Sequence, residues 1–294
     1  MPEVERIADM KALVGEGPVW DPKKQILYWV DIQGGRMFRY DPARNLHEQT
    51  HEGHNVGGLM VNRQGGLLTF IWDGLVLWNS DEDWVNLRKE YNGDILRFND
   101  VIAASNGSAF GGSYFDDHPG KLFRFDPDGK VEVIAEDVIC SNGMGFSPDD
   151  RTFYHTDALR RIIYTHDYDP ATGRVENRRP FIQLPDDMGF PDGMTVDAEG
   201  FLWSAVWGSG CVIRFDPKGK EERRVPLPAR QTSSVMFGGP DLTDLYVTSA
   251  SIEAAPDELD PDRENYRGGS LYRVRGLGVK GRKEHESNFA WPKR

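Results

Sequence analysis

Six short segments recur along the chain: EGPVWD (16–21), GGLMVN (57–62), NDVIAA (99–104), NGMGFS (142–147), DGMTVD (192–197) and SSVMFG (233–238). Their starts step by 41, 42, 43, 50 and 41 residues. Each is followed, after a turn containing Gly, Pro, Asp or Asn, by an aromatic or β-branched run. Those runs are ILYWVD (26–31), LLTFIW (67–72), SAFGGS (108–113), TFYHTD (152–157), FLWSAV (201–206) and DLYVTS (244–249). A third run often ends in an aromatic–Asp–Pro turn, as in RMFRYDP (36–42), KLFRFDP (121–127) and CVIRFDP (211–217). Fourth strands are expected at VNLRKE (85–90), VEVIAE (131–136), RPFIQL (179–184) and ERRVPL (222–227).

A period near ~40 residues with three or four short strands per repeat marks a blade. One such sheet cannot bury both faces, and closing several twisted sheets into a ring solves that while protecting most edges. The expectation is an all-β, six-bladed β-propeller with four-stranded antiparallel blades, forming one domain over residues 1–294. After the sixth repeat the tail VKGRKEHESN (279–288) makes a poor outer strand, whereas VERIAD (4–9) alternates well. The N-terminal strand is therefore expected to close the last blade.

Composition agrees and narrows the partners. Thirty-two Gly, 18 Pro and 11% aromatics suit a turn-rich all-β chain rather than a disordered one. A net charge of −12 argues against nucleic acid and anionic membranes. Two cysteines, Cys140 and Cys211, are read as buried free thiols. Without a signal-like N-terminus or a long apolar stretch, a cytoplasmic protein is expected, as a monomer or weak homo-oligomer.

The first residue of each innermost strand should lie near one mouth of the central channel. Around the ring these are Glu16, Gly57, Asn99, Asn142, Asp192 and Ser233. Two carboxylates and two carboxamides converging on an axis are unfavourable unless compensated, and a cation compensates them. Oxygen donors favour a hard ion such as Ca²⁺, Mg²⁺ or Mn²⁺, with Zn²⁺ and Fe²⁺ still open. Asp100, next along its strand, should alternate away from the axis and anchor a turn.

GEGPVW (15–20), RFND (97–100), SNG (141–143), FYHTD (153–157), PDGMTVDAEGFLW (191–203) and FGGPD (237–241) resemble, in order and over nearly the whole chain, the senescence marker protein/gluconolactonase/luciferin-regenerating enzyme family. That resemblance implies a single metal held by Glu16, Asn142 and Asp192, and substrate contacts from Arg97 and Asn99. Where relatives carry a further acidic substrate contact, this chain reads GGSYFDDHPG (111–120), with Tyr114, Asp116 and Asp117 as stand-ins. The implied activity is metal-dependent hydrolysis of a small-molecule sugar lactone, an aldonolactone such as gluconolactone, xylonolactone or arabinolactone. Asp192 is the candidate ligand and general base together. The competing functions are a phosphotriester or hydrophobic-lactone hydrolase on the same site, and a non-enzymatic calcium-binding propeller.

Of the remaining polar residues, His155 reads as a satisfied core histidine and Asp149–Asp150 as turn residues. The connections between second and third strands should overhang the metal mouth. The longest, ASIEAAPDELDPDRENYRGG (250–269), is expected to act as an acidic lid, and Trp207 as a stacking surface on the same rim.

Overall fold

The computed structural model describes residues 2–252 and 268–292. Within them lie six four-stranded antiparallel sheets, with no α-helix. Blade 1 comprises Gly15–Asp21, Ile26–Asp31, Arg36–Asp41 and Leu46–Glu52 from the axis outward. The innermost strands of blades 2 to 6 are Val56–Val61, Phe98–Ala103, Ser141–Phe146, Phe190–Val196 and Thr232–Gly238. Each innermost strand touches its two neighbours, and the first meets the last, so the ring closes. Blade 6 takes its outermost strand, Glu3–Asp9, from the N-terminus, paired antiparallel with Ser270–Arg275. The repeat period and the strand that closes the ring are both as the sequence predicts.

The core follows from the blade pattern. Six hydrophobic clusters lie one at each blade–blade interface, because each sheet buries its two faces against its neighbours. Between blades 2 and 3, for example, Phe70 and Phe98 pack edge to face with centroids 4.7 Å apart, and Phe125 completes the group.

Two features position the functional end of the channel. First, every innermost strand carries a β-bulge at or beside its first repeat residue, seen between Glu16/Val19, Val56/Gly58, Phe98/Asp100, Asn142/Met144, Pro191/Met194 and Thr232/Ser234. Second, the strands crowd together there. A Cβ on Gly57 would lie 2.1 Å from the Phe98 carbonyl oxygen, and one on Gly143 2.3 Å from that of Asp192. Glycine at these positions is what allows the ring to close tightly.

The tail, excluded above as an outer strand, closes the far mouth of the channel. Lys280 and Gly281 bond to the Ala198 and Leu242 backbones of blades 5 and 6. Arg282 donates to the Phe146 and Ser147 carbonyls of blade 4, and Glu286 pairs with Lys23 of blade 1 at 2.9 Å. Ser287 and Asn288 bond to Val61 and Gly107 of blades 2 and 3, and Phe289 enters the core between those blades. The tail thus straps all six blades at the end opposite the acidic residues.

Candidate metal centre and active site

Glu16, Asn142 and Asp192 come from blades 1, 4 and 5 and are all buried at the channel. The Glu16 carboxylate accepts from the Gly17 amide at 2.8 Å and bonds to Ser234. Asp192 bonds to the Asn142 side chain and the Gly193 amide, yet its Oδ1 is buried with no hydrogen-bond partner. Asn99 reaches across to blade 4, donating from Nδ2 to the Ser141 carbonyl at 2.9 Å.

Asp100 does not turn away from the axis. The bulge at Asn99 sets two residues opposite one, breaks the alternation of the strand and brings the Asp100 carboxyl into the channel wall, facing Glu16 and Asp192. Ser234 is displaced in the same way in blade 6. It lines the channel and bonds to Glu16, whereas Ser233 bonds to Thr248 and the Gly15 carbonyl in the wall. A two-residue period does not hold through a bulge, so alternation along the sequence does not show either side chain.

Burial raises the affinity of all three carboxyl groups for protons, and neighbouring carboxyls add to it at Glu16 and Asp192. Burial, then the charge of Asp100, pushes Glu16 up to about 8; hydrogen bonds from Gly17 and Ser234 oppose this. Burial pushes Asp100 to about 7. Burial, followed by Glu16 and Asp100, holds Asp192 well above the carboxylate range. A buried, unpartnered carboxylate oxygen beside two like charges is costly. A divalent cation removes that cost, and the all-oxygen donor set fits a hard ion. Among the described residues no three His, Cys, Asp or Glu side chains form a ligand set alone. The Asn142 amide, bonded to Asp192, is a further oxygen donor in the same place.

The rim gathers a second group. The Arg97 guanidinium lies over Trp72, 4.2 Å from the ring centroid, and 3.8 Å from the Asp116 carboxylate. The Tyr114 hydroxyl bonds to Asp116; burial and that acid push its pKa up to about 12. Asp117 instead points outward, bonded to His118 and 85% exposed. Asp116 is the acid that joins Arg97 and Tyr114, and Trp72, from the neighbouring blade, had no sequence signal. Trp207, at the end of its strand beside Phe190, is half-buried on this rim. Across the mouth, Arg161 stacks over Phe190 at 4.4 Å.

Cys211 is buried as expected, but Cys140 is only half-buried, because it borders the channel mouth rather than a blade core. Burial and the Asp192 charge raise its pKa. His155 is fully buried and bonds to Ser141, leaving Nδ1 without a partner. Asp149 and Asp150 form the expected turn, and Asp150 also holds His285 of the tail at 2.9 Å. The expected lid falls largely on residues 253–267, outside the described residues. None of the described helical segments is long and apolar enough to cross a membrane.

Comparisons with known proteins place the chain among related sequences and structures. Pentonolactonase XacC of Haloferax volcanii is 40% identical over 287 residues, covering 97% of this chain and 98% of that protein. Regucalcin of Xenopus laevis is 34% identical over 292 residues, covering 95% and 96%. A solved structure from Agrobacterium tumefaciens, described as a calcium-binding protein, regucalcin, superposes with a TM-score of 0.88 at 27% identity over 97% of each chain. The profile of the SMP-30/Gluconolactonase/LRE-like region matches residues 14–251, and the chain belongs to that family.

Proposed function

We propose that this protein is a divalent-cation-dependent lactonase that opens a sugar-type lactone to its acid, with a pentonolactone as the favoured substrate. The observation that carries the reading is the buried trio Glu16, Asn142 and Asp192, with Asp192 Oδ1 unpartnered and repelled by two neighbouring carboxyls. The 40% identity to a pentonolactonase supports the substrate class.

Glu16, Asn142 and Asp192 would hold the ion. When bound, it supplies Lewis-acid polarisation of the lactone carbonyl and acidifies a water molecule. Asp192 takes the proton from the attacking water and returns it to the ring oxygen as the acyl–oxygen bond breaks, so the products are a hydroxy acid and the unchanged side chain. Glu16 has no proton-transfer role; its hydrogen bonds to Gly17 and Ser234 hold its carboxylate in place. Arg97, held over the Trp72 ring, offers charged donors to substrate hydroxyls and to the oxygen that gains negative charge. Asn99 presents its carbonyl oxygen, since its amide nitrogen is bonded to Ser141. Tyr114, which keeps its proton and donates it to Asp116, accepts a hydrogen bond from a ring hydroxyl.

The test strips the protein with a chelator and resupplies Ca²⁺, Mg²⁺, Mn²⁺, Zn²⁺ or Fe²⁺ separately. Xylonolactone, arabinolactone, gluconolactone and a phosphotriester are then compared. Turnover should vanish on chelation, return with metal and favour the five-carbon lactones, and Asp192→Ala should abolish it. Failure of every reloaded form to open any lactone refutes the reading.

A further inference from the structure

Ser141 sits between two residues of the proposed site and is tied to both. It directly precedes Asn142 on the innermost strand of blade 4, and its carbonyl accepts the Asn99 amide from blade 3 at 2.9 Å. Its hydroxyl lies 2.8 Å from His155 Nε2 on the second strand of the same blade, and both side chains are fully buried. The seat is closed on the other side as well. A Cβ on Gly112 would fall 1.6 Å from Ser141 Oγ, so the second strand of blade 3 holds the hydroxyl against His155. No other hydrogen bond to the His155 ring exists among the described residues, because its Nδ1 is unpartnered. A buried imidazole with one orphaned nitrogen is an expensive core residue, and an apolar side chain of that size would fill the space without the cost. What the imidazole provides is the one bond it makes.

We propose that His155 and Ser141 form a positioning pair that sets the orientation of both Asn99 and Asn142, one link carrying two site amides from adjacent blades. The inference rests on the proposed metal-dependent reading, since it assigns those amides their work. With the Ser141 hydroxyl pinned, its peptide cannot rotate. The carbonyl stays aimed at Asn99, which turns that amide's oxygen towards the channel, and the following residue delivers the Asn142 side chain beside Asp192. Hydrogen-bond partners that orient ligand side chains typically matter about 10–100-fold in affinity or activity.

The test measures Ca²⁺ binding to the chelator-stripped full-length protein by calorimetry, alongside kcat and KM for a pentonolactone. Ser141→Ala, His155→Phe, His155→Gln and the double variant Ser141→Ala/His155→Phe are compared with wild type. Ser141→Ala and His155→Phe should each weaken Ca²⁺ binding about tenfold and raise KM. The double variant should be no worse than either single one, because both break the same bond. His155→Gln, which retains a polar group facing Ser141, should recover most of the loss. A purely structural role would lower the melting temperature and leave the affinity of the folded protein unchanged. Wild-type affinity and KM in folded Ser141→Ala overturn the inference, and that variant, lacking a single oxygen, tests it even if His155→Phe does not fold. If wild type neither binds a divalent ion nor opens a lactone, the functional reading fails and the inference falls with it.

Discussion

Replacing Gly143 with Ala tests whether the ring closure and the site are one structure. Gly143 has no left-handed backbone angle, so alanine is conformationally allowed there, and the obstacle is its neighbour alone. The added Cβ would stand 2.3 Å from the Asp192 carbonyl oxygen, 3.0 Å from the Met194 nitrogen and 3.1 Å from Met194 Cγ. The closest carbon–oxygen contacts in proteins sit at about 3.3 Å, which leaves a shortfall of about 1 Å. The first obstacle is backbone, so no rotamer change relieves it, and the inner strands of blades 4 and 5 must part. That displaces Asn142 from Asp192, the two residues flanking the contact. Overpacking of this kind costs about 1–3 kcal/mol of stability, and a misplacement near 1 Å can reduce catalysis about 10²-fold. Gly145→Ala is the control. Its Cβ would meet side chains alone, a Val196 methyl group at 2.9 Å and Met194 Sδ at an ordinary 3.7 Å, one pair of residues further from the mouth. Calorimetric melting, Ca²⁺ titration of the stripped protein and kcat/KM on a pentonolactone should show a large functional loss for Gly143→Ala and a small one for Gly145→Ala. Equal, near-wild-type values for both would refute the claim that blade contact positions the site.

Asp192→Asn should lose divalent-ion binding and turnover while raising the melting temperature of the chelated protein, because it removes a carboxyl that burial and its neighbours force to take up a proton on folding and whose Oδ1 is unpartnered, a cost of about 1–3 kcal/mol; scanning calorimetry in a chelator checks it, and a lower melting temperature would contradict the account. Burial, reinforced by Arg178 and Arg179, pushes His166 down to about 4. Its unfolded imidazole binds a proton near pH 6.5, so the folded state holds fewer protons below that pH. Stability present above pH 6.5 is therefore lost as pH falls towards 4, by up to about 3 kcal/mol, and urea melts of His166→Phe should show a flatter dependence over that window. Phe289→Ala should cost about 3 kcal/mol or more by opening the core between blades 2 and 3; an unchanged urea midpoint would mean the tail strap contributes little.

The repeat made the fold legible from the chain alone. Strand spacing and turn residues are local properties, and a blade with two apolar faces has few ways to bury them, so blade number, strand count and the N-terminal closing strand could all be read without coordinates. The same register placed Glu16, Asn142 and Asp192 at the channel. What only the tertiary structure decided lies where local alternation breaks or where distant segments meet. The bulges of the innermost strands turn Asp100 and Ser234 into the channel, against the two-residue period that a straight strand obeys. Trp72 beneath Arg97, Asp116 rather than Asp117 beside Tyr114, and His155 behind Ser141 are contacts across turns, strands and blades. The tail from Lys280 to Phe289 carries no strand pattern at all, because its bonds go one by one to the turns and inner-strand ends of six blades rather than along one neighbouring strand. Periodicity records which face of an element is buried; it does not record which elements the closed ring brings within hydrogen-bonding distance.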